Sequence, residues 1–119
     1  MAKLAIKRVY EPASSSDGQR VLIDRLWPRG LSKEKLGDVL WLKDVAPSAQ
    51  LRKWFGHKPA RWLEFRKRYF SELKKNGDAL SPLRALMKRG RTTLLYSARD
   101  AEHNQAAALA EYLAKPSHK

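Results

Sequence analysis

Two short apolar runs end in the same way. Val21-Leu22-Ile23 passes into Asp24-Arg25-Leu26-Trp27-Pro28-Arg29-Gly30, and Thr93-Leu94-Leu95-Tyr96 passes into Ser97-Ala98-Arg99-Asp100. In open α/β sheets, ligands bind beyond the carboxyl ends of the strands. If the two runs are parallel neighbours, Asp24, Arg25, Arg29, Tyr96, Ser97 and Asp100 meet on one rim. Guanidinium forks match the oxygens of a phosphate or carboxylate, so Arg25 and Arg29 would hold an anion and Asp24 would orient an arginine. The plainer alternatives are an exposed Asp24–Arg25 ion pair, and an Asp100 that only caps the last helix.

Arg66 lies in the middle of an apolar helical stripe made by Trp62, Phe65, Tyr69 and Leu73. A charge on an inner face is costly unless paired. We expect its guanidinium to be mostly buried against Asp24 or Asp44, with Glu72 as a further option, or aimed at the same anion as Arg25 and Arg29. His57 and His103 are the histidines inside the expected fold and would move a proton if chemistry occurs; with Asp24 and Asp100 they are the candidate catalytic residues. No HxH or HExxH pattern is present, and the chain has no cysteine, so neither a metal nor any other cofactor is expected. The absence of GxxxxGK[ST], GxGxxG and GxSxG patterns disfavours a P-loop, a Rossmann dinucleotide site and an α/β-hydrolase. The four tryptophans would pack in the core or roof the cleft, with Trp27 and Trp54 beside it, or stack on bases.

These residues must be positioned by regular elements. Leu4 to Tyr10 alternates as a strand does, and Ala13 to Gly18 reads as a polar loop that could be mobile. Val21–Ile23 and Thr92–Tyr96 read as buried strands, and Val39–Leu42 as another. Ser32 and Ser48 cap short helices. A longer helix runs from about Pro59 to Lys75 and stops at Asn76-Gly77. Asp78 would cap a helix through Lys88, and Asp100 the last helix, closed by Pro116. Strands alternating with helices predict an α/β fold: a single compact three-layer domain with a small, mostly parallel sheet flanked by helices. It would span residues 1–119, ordered over about 2–114 with a frayed tail at 115–119.

The chain of 119 residues fits one domain, and 43% hydrophobic and 31% charged residues suit a folded core. No apolar run reaches the ~18 residues of a membrane span, which excludes a transmembrane helix. The missing cysteines and the strand-like amino end make the cytoplasm the expected location. The net charge is +13. It is uneven: between Arg52 and Arg91 thirteen basic residues face only Glu64, Glu72 and Asp78. Such a segment attracts anions. A small anionic ligand is the first expected partner. Nucleic acid bound on the Arg52–Arg91 face is the alternative, and an acidic protein a third.

The stretches Arg20–Lys33, Trp41–Ser48 and Leu51–His57, with Trp62, Phe65, Arg66, Tyr69, Leu73, Leu94–Asp100, His103 and Asn104, resemble the YeaO-like proteins, a branch of a large bacterial and archaeal family of unknown function. The resemblance covers nearly the whole chain, and Asp24–Gly30 is its most specific part. It implies a compact α/β domain with a polar cleft built from Asp24, Arg25, Arg29, Trp54, His57, Arg66 and Asp100. The wider family often has cysteines where this chain has Tyr96 and Asn104, so thiol chemistry does not carry over. The branch often has histidine where this chain has Gln105, which removes a second histidine from the last helix.

Overall fold

The computed structural model describes residues 4–114; the expected tail and the closure at Pro116 fall outside that range. In chain order the elements are β1 (Leu4–Arg8), β2 (Gln19–Leu22), α1 (Lys33–Leu36), β3 (Leu40–Trp41), α2 (Ala49–Phe55), α3 (Trp62–Lys75), α4 (Gly77–Arg89), β4 (Thr92–Tyr96) and α5 (Gln105–Ala114). The four strands form one sheet in the order β1-β4-β2-β3, with every pairing parallel. The two apolar runs are therefore direct neighbours, with Val21 opposite Leu94 and Leu22 opposite Leu95.

β4 lies between β1 and β2, so all five of its residues are buried. The period of two sends alternate side chains to opposite faces. Val21, Ile23, Leu94 and Tyr96 enter the larger core with Leu51, Phe55, Phe65, Tyr69, Leu80, Leu83 and Leu109 from α2 to α5. Leu22 and Leu95 enter a smaller one with Leu36 of α1, Trp27 and Trp41. The three layers are thus unequal: four helices cover one face, and α1 with its flanking loops covers the other.

The thin face is completed by charge. Ser14 to Gly18 is not the loose loop its composition suggests. Ser14 and Asp17 cap one another around a 3-10 turn at Ser15–Asp17. Asp17, only 6% exposed, accepts from Lys7 of β1 at 2.9 Å and lies 3.4 Å from Arg20 of β2. Gly18 then enters β2 with φ 66°, and a Cβ there would stand 2.4 Å from the Arg91 carbonyl oxygen. Only glycine permits that approach at that φ.

Other boundaries shift for local reasons. β1 stops at Arg8 because Arg8 and Glu11 close a turn, the Glu11 N–H donating to the Arg8 carbonyl at 3.0 Å. The long helix divides into a 3-10 turn at Pro59–Arg61 and α3. Asn76 separates α3 from α4, so Asp78 lies inside the first turn of α4 instead of capping it. Ser32 and Ser48 cap α1 and α2 as expected. Glu72 of α3 in turn binds Ser48, accepting its N–H at 2.9 Å and its hydroxyl at 2.7 Å. The Tyr69 hydroxyl donates to the Val45 carbonyl at 2.5 Å. No helix among the described residues is long and apolar enough to cross a membrane.

Candidate functional site

β1, β4 and β2 are adjacent and parallel, so their carboxyl ends open on one side. A cavity of about 1020 Å³ lies there. Arg8 and Tyr10 follow β1, Asp24 to Arg29 follow β2, and Ser97 to Asp100 follow β4. Arg52, Lys53 and Phe55 of α2 and His57 beyond it form another wall, and His103, Asn104 and Gln105 bring in the start of α5.

Asp24 is the polar centre of this rim. It is 6% exposed. One carboxylate oxygen accepts the Ser97 N–H at 3.0 Å and the Ser97 hydroxyl at 2.5 Å, and the other accepts from the Gln105 amide. Burial nevertheless pushes its carboxyl above the usual aspartate range, against the pull of these donors and of the Arg52 charge. Its backbone carbonyl accepts the Trp41 indole N–H at 2.7 Å. Asp24 thus joins β2, β4, α5 and the β3 edge at one point.

The turn after Asp24 is held from both sides. Trp27 donates its indole N–H to the Leu31 carbonyl at 2.5 Å and packs edge-on against Trp41, with ring centroids 5.4 Å apart. The Tyr10 hydroxyl donates to the Arg29 carbonyl at 2.7 Å. The Arg29 side chain is exposed at the rim. Arg25 reaches further in. Its Nε, and that of Arg52 from α2, are buried and meet no acceptor among the described residues. Arg20 Nε, on the other face near Asp17, is in the same state, but Arg25 and Arg52 are the two that belong to residues lining the cavity, and buried donors are nearly always satisfied.

On the β4 side, Asp100 accepts the backbone N–H groups of Glu102 and His103 at 2.9 and 3.0 Å, and its other oxygen lies 2.9 Å from His103 Nδ1. These bonds hold its carboxyl below the usual aspartate range, the Glu102 N–H contributing most. Trp62 meets the His103 ring edge-on at 5.3 Å. Asp100 therefore caps a four-residue turn and orients His103. The helix itself is capped by Asn104, whose Oδ1 accepts the Ala107 N–H at 2.8 Å. The expectation that Asp100 caps α5 is corrected accordingly. His57 is exposed, with φ 57°, a left-handed conformation that histidine adopts more readily than most residues other than glycine.

Most of the expected site residues thus come together: Asp24, Arg25, Trp27, Arg29, His57, Ser97, Asp100 and His103 all line the cavity. Arg66, Trp54 and Tyr96 do not. Arg66 is half-buried and grips Glu111 of α5 with both ends of its fork, Nε donating to Oε1 at 3.0 Å. Neither Asp24 nor Asp44 is its partner, because Asp24 is occupied by Ser97 and Gln105 and α5 brings Glu111 to the stripe. Glu72 is likewise taken, by Ser48. Trp54 has the guanidiniums of Arg68 and Arg61 over its ring, at 4.3 and 5.1 Å. Tyr96 is 3% exposed and belongs to the larger core.

Arg8, Arg52, Lys53, Arg99 and Gln105 are site residues that the sequence reading passed over. For Arg52 a signal existed: it lies three residues before Phe55 on α2, a spacing that puts both on one helical face, and Phe55 is buried. In all, six arginines and lysines line the cavity against Asp24 and Asp100.

The chain matches a family model described as the inactive DUF488-N3 subclade over residues 3–119. It is 43% identical over 107 residues to YeaO of Escherichia coli strain K12, covering 90% of this chain and 93% of that one. It is also 43% identical over 111 residues to uncharacterized proteins of Mycobacterium tuberculosis and Mycobacterium bovis, covering 93% of each chain. No solved structure matches it.

Proposed function

The chain belongs to the DUF488 family, in the subclade described as inactive, and from that premise we propose that its cavity binds a small anion, a phosphate or carboxylate, without transforming it. One observation carries the reading: the buried, unpartnered Nε atoms of Arg25 and Arg52 in one cavity. An anion there meets two guanidinium groups that no carboxylate among the described residues engages by a hydrogen bond, with the charge-assisted contacts that guanidinium forks form best. Asp24 fits a positioning role. Its oxygens are committed to Ser97 and Gln105, so it fixes the rim while its charge faces Arg52. Arg29 stands at the mouth on a restrained turn and loses less freedom on binding than an arginine on a loose loop. The proposed setting is the cytoplasm.

The test is a thermal-shift series with phosphate, sulfate and acetate on the parent, Arg25→Met and Arg52→Met. A ligand that binds only the folded state stabilises it by roughly 2.7 kcal/mol at a hundredfold excess over its Kd. The parent should gain stability and both variants should lose that gain. Equal gains in all three proteins would mean that the anions act on the general basic surface, and the reading would fall.

A second reading is supported by exposure. Lys67, Lys74 and Lys75 of α3 and Arg84, Lys88 and Arg89 of α4 are all exposed, so within the Arg52–Arg91 segment these two helices carry solvated basic side chains suited to phosphate backbones.

A further inference from the structure

The geometry points to an organic anion as the occupant of the cavity: a phosphate or carboxylate group attached to an apolar, ring-sized body. The group lies at Arg25 and Arg52, and the body against Tyr10, Leu26 and Trp27. This rests on the anion-binding reading above and names the class of ligand.

Size is the first argument. A bare phosphate displaces a few water molecules, each of about 30 Å³, whereas the cavity measures about 1020 Å³. Cavities on the order of 300–1,000 Å³ hold whole organic molecules. The second argument is the chemistry of the wall. Tyr10 and Leu26, both on this cavity, are 41% and 65% exposed. A single exposed leucine is ordinary. Here, however, Leu26 sits between Arg25 and Trp27 on a turn held by the bonds of Trp27 and Tyr10.

The third argument is how the polar atoms of the wall are already used. The Tyr10 hydroxyl is spent on the Arg29 carbonyl and the Trp27 N–H on the Leu31 carbonyl. Both residues therefore keep their donors for the protein, and what they leave open to an occupant, with the Arg8 guanidinium 4.7 Å over the Tyr10 ring and Trp41 against Trp27, is ring carbon. Phe55, 5% exposed, continues the apolar lining. On this side of the cavity polar recognition is left to the guanidiniums, and Tyr10, Leu26, Trp27 and Phe55 are suited to excluding water from an apolar body, while the polar side chains of the α5 start and of His57 lie on the other walls.

The experiment is calorimetric titration of the full chain with inorganic phosphate, phenyl phosphate and phenol, on the parent and on Leu26→Ser, whose exposed side chain can be replaced without opening the core. Phenyl phosphate should bind the parent about tenfold more tightly than inorganic phosphate, as burial of part of one ring requires. Phenol should not bind measurably. Leu26→Ser should cut the advantage of phenyl phosphate to about threefold. If phosphate binds and phenyl phosphate binds no more tightly, the organic-anion assignment is overturned while the anion site stands. If the advantage is the same in Leu26→Ser, the apolar wall is misassigned and the proposal falls. If neither phosphate nor phenyl phosphate binds, the anion site falls with it.

Discussion

Asp24, beyond the end of β2, binds Ser97, beyond the end of β4, twice: through the Ser97 backbone N–H at 3.0 Å and its hydroxyl at 2.5 Å. One carboxylate oxygen thereby fixes the spacing of the two segments that carry Arg25 and Arg99.

Removing that carboxylate strands the Ser97 N–H and hydroxyl and the Gln105 amide around a buried position. Asp24→Ala should cost about 2 kcal/mol or more, the penalty of leaving buried donors unmet. Urea unfolding monitored by tryptophan fluorescence measures it. A loss below about 0.5 kcal/mol, the size of an ordinary surface change, would show that Asp24 does not hold the rim.

Acid should act through Asp17 and Asp24 in opposite senses. The Lys7 hydrogen bond holds Asp17 below its ordinary value of 3.8. Its contribution is present above that value and is lost as pH falls through the depressed one. Asp24 is raised by burial, so its contribution is present below 3.8 and is lost as pH climbs through the raised value. Asp17→Asn should flatten the stability loss below pH 3.8 and leave the Asp24 limb above it intact. Unfolding midpoints from pH 2 to 7 test this; an unchanged acid limb in Asp17→Asn would refute the assignment.

Asn104 should matter more to α5 than Asp100 does. It accepts the Ala107 N–H and donates its amide to the Asp100 carbonyl at 2.8 Å, and it is 2% exposed. Asn104→Ala should cost about 1–2 kcal/mol, the upper range for a lost cap, and Asp100→Ala less. The reverse order in denaturant midpoints would restore Asp100 as the cap of the helix.

Arg66 should be separable from anion binding. A double-mutant cycle on Arg66→Met and Glu111→Gln should return a coupling of roughly 0.5–1 kcal/mol, modest because both side chains keep contact with water. The stabilisation given by phosphate should be the same in Arg66→Met as in the parent, because Arg66 does not line the cavity. Loss of that stabilisation in Arg66→Met would return Arg66 to the site.

The exposed basic face makes a separate forecast. Affinity for single-stranded DNA of random sequence should fall with salt at a slope of about −0.7 per phosphate contacted. Joint replacement of Lys67, Lys74 and Lys75 by glutamate should weaken binding without shifting the melting temperature. Absence of binding at low salt would remove nucleic acid as a partner.

The rim was legible because its signal is local: two apolar runs each ending in charged and hydroxyl residues, which the parallel pairing of β2 and β4 then brings together. The inward direction of Arg66 was legible from helical spacing, but its partner was not. An inner-face arginine accepts any carboxylate that a facing element brings, and which helix faces α3 is decided by how α5 packs. Asp100 and Asn104 illustrate a second limit. Both are capping residues, four positions apart, and the turn that Asp100 closes looks like the first turn of a helix until the backbone of Ala107 is traced to Asn104. Arg52 was hidden in a run of basic residues, where charge alone does not separate a cavity arginine from a solvated one.

The strand order carries a consequence for how the chain is made. Of the two inner strands, β4 at Thr92–Tyr96 is the last strand to be synthesised among the described residues, and it is the sheet neighbour of β1 and the bridge from β1 to β2. While a nascent chain has reached only Arg89, β1 has nothing to pair with, and the sheet consists of the two-residue register between β2 and β3. Local helices can form on the ribosome in that interval, but the β-structure and the rim must wait for β4 to emerge. The pairings of β1 and the longer pairing of β2 thus join distant parts of the chain and require its late strand, the kind of contact that slows folding most.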